Sequence, residues 1–282
     1  DGRWYMVSLG KRNDLDGDAN MGRETYLIPM KWEPTIVKWE QVSETKWQPV
    51  QYLFPVAAPM TGKVERFFPL PFPEKPQYIN NSYIDDFTSS NLKLDWTFIR
   101  VPQKNTISLT DNPGHLRLYP KPTTIENRKN FSMIGFRQRE SDFDYQVKMN
   151  FMPKKNKVES GIIHYQKERN YLTSVVYKVG KKFFLEQKLK EKDKNVTSLK
   201  KVHLKKYSGS IIFKTESRED RYTFYYSLDN GETFTSFNSI DAIKMLDRNY
   251  TGALLGMYAT SNGVLSKDYA DFDWIRYNDF IR

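Results

Sequence analysis

From Tyr78 onward, apolar and polar positions alternate in short runs separated by turn residues, the pattern of an all-β sandwich. Leu116–Tyr119, Tyr145–Phe151, Gly161–Tyr165, Leu172–Tyr177, Gly209–Lys214 and Tyr222–Ser227 each read as a strand with one face for a core. Phe183, Leu185, Gln187, Leu189 and Glu191 alternate with Phe184, Glu186, Lys188, Lys190 and Lys192, which predicts a half-buried strand with a solvated lysine face and a turn near Asp193-Lys194-Asn195. Asp229-Asn230-Gly231 predicts a hairpin turn, because Asn and Gly tolerate positive φ. Helical spacing occurs only at Ser239–Leu246, with Ser239 as its expected N-cap. The expected fold is nearly all β, with one short helix and no parallel βαβ unit.

The first residues differ in composition. Four of six Trp (Trp4, Trp32, Trp39, Trp47) fall in the first 47 positions, and six of 14 Pro (Pro55, Pro59, Pro69, Pro71, Pro73, Pro76) lie between 55 and 76. Proline fixes φ and donates no ladder bond, so this stretch reads as an extended linker rather than a central strand. The expected organisation is a short Trp-rich β segment at 1–54, a linker at 55–77 and a long β domain at 78–282. The opening run Trp4–Leu9 already reads as a strand, which leads us to expect further chain before it.

Charge and composition narrow the function classes. The chain has 282 residues, a formal charge of +10 and no cysteine, which excludes disulfides, thiolate metal sites and a cysteine nucleophile. No window approaches the roughly 18 uncharged apolar residues of a membrane helix, so neither a membrane partner nor a signal peptide is expected. Lys178–Lys206 holds 11 Lys against Glu186, Glu191 and Asp193. No arginine and aromatic interleaving accompanies it, so it reads as a solvated face and no nucleic-acid partner is expected. Sequons at Asn80, Asn130, Asn195 and Asn249 hint at a secreted, extracellular protein.

The chain has no phosphate-binding glycine loop, no His-Glu-x-x-His and no nucleophile elbow. His115, His164 and His203 lie on separate β segments and read as structural or surface histidines. Two features carry candidate chemistry. Arg23, in Gly22-Arg23-Glu24-Thr25, follows an Asp/Asn/Gly-rich loop and offers a fork of donors to sugar hydroxyls or a carboxylate, or pairs structurally with an acid such as Glu24. Asp85-Asp86-Phe87 and Ala270-Asp271-Phe272-Asp273-Trp274 place acids at both ends of the long domain, where neighbouring terminal strands would bring them together around calcium or leave them as plain surface alternation.

In series, these residues resemble a family. Gly2-Arg3-Trp4-Tyr5-Met6-Val7-Ser8-Leu9-Gly10-Lys11-Arg12 with Gly22–Leu27 resembles the last blade of the five-bladed propeller of glycoside hydrolase family forty-three β-xylosidases. The rest resembles the concanavalin-like (jelly-roll) sandwich that follows that propeller: Asp85-Asp86-Phe87, Asn112–Tyr119, Phe136–Arg139, Gly161–Gln166, Ser227–Gly231, Tyr250–Met257 and Ala270–Asp273 occur in the family's order. The resemblance implies an inverting hydrolase that removes xylose or arabinofuranose from the non-reducing ends of xylan-derived chains, with no cofactor for catalysis. It also implies that no catalytic carboxylate lies in this chain. The Asp base, Glu acid and pKa-tuning Asp come from earlier blades, supplied by a preceding segment or a separate chain.

By position, Arg23 matches an arginine that donates to the sugar being released. Tyr250 with Thr251 matches a sandwich loop that inserts an aromatic into the propeller mouth and narrows it toward chain ends. Asp86 and Asp273, then Asp85 and Asp111, match structural calcium ligands. Two other readings remain open: a non-catalytic xylan-binding or carbohydrate-binding module, and a scaffold descended from the enzyme.

Overall fold

The computed structural model of the chain describes residues 2–12, 20–69, 71, 82–247 and 251–280. They fall into two compact units, Asp1–Lys11 with Arg23–Ile79, and Arg12–Gly22 with Asn80–Arg282. Arg12 and residues 20–22 therefore pack with the second unit, although in sequence they interrupt the first.

The first unit is a three-stranded antiparallel sheet of β1 (Trp4–Lys11), β2 (Arg23–Ser43) and β3 (Lys46–Ala57), in that order. Its register opposes Trp4 to Met30 and Lys11 to Arg23. The ladder runs on to Ala57, so the boundary expected at residue 55 falls inside β3. Pro49 and Pro55 fit there because β3 is the outer strand, where a missing donor breaks no ladder bond. This sheet covers little of its own apolar surface: Val7 is 70% exposed and Trp4, Trp39 and Trp47 each more than half exposed.

The second unit is a sandwich of two antiparallel sheets. One sheet is ordered β13-β12-β11-β10-β17-β8-β5, from β5 (Trp96–Thr97), β8 (Ser132–Arg137), β10 (Glu159–Lys167), β11 (Asn170–Val179), β12 (Lys182–Glu191), β13 (Thr197–His203) and β17 (Leu254–Thr260). The other is ordered β16-β15-β14-β9-β18-β7-β6, from β6 (Ile107–Ser108), β7 (Leu116–Leu118), β9 (Asp142–Asn150), β14 (Ser210–Arg218), β15 (Arg221–Ser227), β16 (Thr235–Asp241) and β18 (Ala270–Phe280). β4 (Ser82–Asp85) also pairs with β18, so the unit's first and last strands are neighbours.

Alternation builds the core. Ile162, Leu172, Val176, Leu185 and Met257 of one sheet meet Tyr145, Val147, Phe213, Phe224, Phe272 and Ile275 of the other. Ile163, Tyr165, Tyr171, Val175 and Tyr258 turn to the opposite face of the first sheet and pack with Ile125 and Phe131. That sheet is thus buried on both sides at its centre, and β10 and β11 are nearly continuously buried. At β12, Leu185, Gln187 and Leu189 face inward while the lysines of the other register stay partly exposed, as the pattern predicts.

The expected helix at Ser239–Leu246 is not an α-helix. Ser239 sits in β16, and only Ala242–Met245 forms a turn of 3-10 helix after Asp241. Ala242 and Met245, three residues apart, are both buried, and a single 3-10 turn suffices to put them on one side. The hairpin turn forms as expected, with Asn230 at φ 58° and Gly231 at φ 94°.

Candidate functional site

Arg23 opens β2 and is exposed, opposite Lys11 on β1. The residues before it belong to the sandwich unit and are fixed there by several independent contacts. Arg12 makes a two-pronged ion pair with Glu140, Nη1 to Oε2 at 2.6 Å and Nη2 to Oε1 at 3.2 Å, both side chains largely buried. Asn20 is buried. Its carbonyl accepts the Ala253 amide at 2.6 Å, and its side-chain Oδ1 accepts Ser141 Oγ at 3.3 Å. Met21 and Gly22 lie against Gly252, where a Cβ would come within 2.6 Å of the Met21 carbonyl oxygen and 2.5 Å of Arg137 Nη1. No side chain fits between these backbones, so glycine is required at position 252.

Thr251 is exposed, immediately before that contact. Tyr250 lies outside the described residues. The stems of its loop are nevertheless defined, because one buried side chain holds both: Gln166 accepts the Asp247 amide on Oε1 at 2.8 Å and donates from Nε2 to the Thr251 carbonyl at 3.2 Å. Asp247 also takes Lys167 at 2.5 Å and Arg169 at 3.4 Å, and the Lys167 hydrogen bond holds its carboxyl below the usual range. The loop therefore has rigid ends. Within the sandwich unit, Thr251 precedes Gly252 and so is a covalent neighbour of this packed seam.

Gln166, Asn20 and Gly252 were not singled out from the sequence. In the sequence Gln166 is only the end of the Gly161–Gln166 run, and its amide reads like any strand polar residue. Asn20 closes the polar loop before Arg23, which was the one available signal.

The four aspartates expected to bind calcium do not assemble a site. The ladder does place Asp85 opposite Ile275, near the end of the chain as anticipated. Yet the buried Asp85 accepts Trp96 Nε1 at 2.8 Å and the Phe87 amide at 3.2 Å, with Lys93 at 3.4 Å. Asp86 is exposed and caps its own turn through the Thr88 amide and hydroxyl. Asp111 accepts the Tyr119 hydroxyl, and Asp273 pairs with Lys148 at 2.8 Å. Among the described residues no group of three or more His, Asp or Glu is placed to hold a metal ion. A hard cation wants six to eight oxygens, and these carboxylates each serve a different local donor, so the residues present do not fit calcium.

Of the histidines, His203 is exposed, His115 is half-buried, and His164 is wholly buried between the sheets. Its ring packs on Phe224 at 5.2 Å, Tyr222 at 5.5 Å and Tyr145 at 6.3 Å, with neither nitrogen hydrogen-bonded. Burial pushes its pKa down to about 3 and keeps it neutral, a structural role with no catalytic partner.

Residues 84–278 match the family described as the β-xylosidase C-terminal concanavalin A-like domain. The chain belongs to this family. It is 30% identical over 282 residues to a non-reducing end α-L-arabinofuranosidase of Bacteroides ovatus, covering 98% of this chain and 49% of that protein. It is 28% identical over 281 residues to a xylosidase/arabinosidase of Butyrivibrio fibrisolvens, again covering 97% of this chain and 49% of the other. Among solved structures, the glycoside hydrolase family 43 protein BlXynB of Bacillus licheniformis superposes with a TM-score of 0.79 at 26% identity, over 99% of this chain and 51% of that one. The chain thus spans about half the length of the curated relatives it matches, and the family 43 resemblance is established with the sandwich fold.

Proposed function

We propose that this chain is the C-terminal half of an inverting glycoside hydrolase that releases xylose or arabinofuranose from the non-reducing ends of xylan-derived chains. The observation that carries this reading is the whole-chain match to two curated glycosidases of which it covers 49%. In an inverting enzyme one carboxylic acid protonates the leaving oxygen while a carboxylate across the sugar ring activates water. On this reading all three catalytic carboxylates lie outside these residues, in four propeller blades joined to this chain or held beside it. The first unit would be the remaining blade: its exposed Trp4, Trp39 and Trp47 are surface a single sheet cannot bury alone.

In this arrangement Arg23 orients the terminal sugar through hydrogen bonds to its hydroxyls. Tyr250 stacks on the sugar and, with Thr251, narrows the pocket so that chain ends are favoured. A polymeric substrate places the enzyme outside the cell. The test is hydrolysis by the full-length enzyme of nitrophenyl xyloside and nitrophenyl arabinofuranoside. Arg23→Ala is expected to lower kcat/KM by about 100-fold or more, from lost positioning of the reacting ring. Tyr250→Phe should keep activity and Tyr250→Ala should raise KM. An Arg23→Ala enzyme with unchanged kcat/KM would overturn the assignment.

A further inference from the structure

At one end of the eight-stranded sheet, remote in sequence from the Arg23 and Thr251 segments, a cleft of about 360 Å³ opens beside Tyr269. Tyr269 is 45% exposed, yet it is not loose. The Arg117 guanidinium lies 3.8 Å from the ring centroid. Arg117 is itself locked onto Asp271, Nε to Oδ1 at 2.7 Å and Nη2 to Oδ2 at 2.8 Å, with Asn112 Nδ2 donating to the same carboxylate at 2.9 Å. Arg117 does not line the cleft, so it backs one face of the ring while the ring borders the opening. The result is an aromatic platform held from behind by a charge-assisted network.

Besides the exposed Met152, the other walls offer polar groups. The Asn150 amide and the Ser208 and Ser210 hydroxyls line the cleft, with no side-chain partner among the described residues. Lys154 and Lys267 also line it, and neither forms an ion pair among the described residues. Two acids line the cleft and both are engaged: Asp271 by Arg117 and Asn112, and Asp268 by the amides of Lys154 at 2.7 Å and Lys155 at 3.3 Å and by Ser266 Oγ at 2.7 Å. Across Lys154, Lys267 and Asp268 the cleft continues into a second hollow of about 530 Å³ that adds Lys155 and the exposed Leu265. The whole is an open groove with a rigid ring, hydroxyl and amide groups, and three lysines against two carboxylates that other donors already engage.

We infer that this groove is a non-catalytic binding site for an acidic saccharide chain, such as a uronic-acid-substituted xylo-oligosaccharide. A pyranose face stacks on Tyr269, Asn150 and the serines meet ring hydroxyls, and Lys154 and Lys267 meet the uronate carboxylate. The choice of a saccharide rests on the proposed glycosidase function; the anionic character rests on the groove alone. Such a site would hold the polymer while its ends are trimmed elsewhere.

The test is a calorimetric titration of the 282-residue chain with glucuronic-acid-substituted xylotetraose and with plain xylotetraose, with thermal unfolding of each variant as a fold check. The substituted sugar is expected to bind about tenfold more tightly at low salt, and the difference should shrink as salt is added. Tyr269→Ala should weaken binding of both sugars about tenfold while Tyr269→Phe leaves it unchanged. The exposed Lys154→Ala/Lys267→Ala pair should erase the preference for the acidic sugar even if Tyr269→Ala proves unstable. Binding of neither sugar, binding indifferent to Tyr269→Ala in a folded protein, or equal competition by an oligonucleotide of the same charge would overturn the inference. Because binding and not hydrolysis is read, an inactive full-length enzyme would sink the proposed function and leave this result standing.

Discussion

Gly22 and Gly252 meet backbone to backbone: a Cβ added to Gly22 would lie 2.3 Å from the Gly252 amide nitrogen. Gly22 also holds a left-handed φ of +69°. Gly22→Ala therefore combines a strained conformation, worth about 1–3 kcal/mol, with an overlap against main chain that cannot swing aside. Gly114 has a similar φ of +79° but nothing within 4 Å of an added Cβ. Denaturant unfolding should find Gly22→Ala destabilised clearly more than Gly114→Ala. Equal losses would mean that the seam is not close-packed.

The Gln166 clamp gives a second prediction. Replacing it by Leu keeps the volume but removes the bonds to Asp247 and Thr251. With a buried amide and carbonyl left without that partner, the loss should be about 1–3 kcal/mol. Hydrogen exchange should accelerate at 247 and 251–253 while the sheet centre stays protected. In the full-length enzyme KM should rise more than kcat falls, since the loop positions substrate in the proposed function. Unchanged exchange at the stems would show that Gln166 does not hold the loop.

His164 makes the sandwich acid-sensitive. Its folded pKa is depressed to about 3, so below the unfolded value the unfolded state binds the extra proton. The stability it lends is full above about pH 6.5 and is lost as pH falls toward 3, by about 2 kcal/mol between neutrality and pH 5. Unfolding free energies measured across that window should fall for the wild type and lie flatter for His164→Leu. A parallel slope in both proteins would assign the acid sensitivity to other groups.

Much of the sandwich was legible because alternation has a single period and its consequences are local. The faces of β12 and the turn at Asn230-Gly231 follow directly from sequence. Ser239–Leu246 misled because one 3-10 turn after a strand produces the same short spacing as an α-helix. The calcium expectation failed for a different reason. Register brought the first and last strands together, but whether carboxylates converge depends on which donors surround them, and Trp96, Thr88, Tyr119 and Lys148 are distant in sequence or unremarkable in it. The contacts that hold Arg12 and residues 20–22 were invisible for the same reason, since Arg12 and Glu140 are 128 residues apart.

The central claim is that the catalytic carboxylates lie outside these residues. It is tested most directly by assaying nitrophenyl xyloside and nitrophenyl arabinofuranoside with this folded chain alone and with the full-length polypeptide that contains it. The account predicts no turnover above background for the chain alone and turnover, lost on Arg23→Ala, for the full-length protein. Hydrolysis by the chain alone, free of any second polypeptide in the intact mass spectrum, would contradict it.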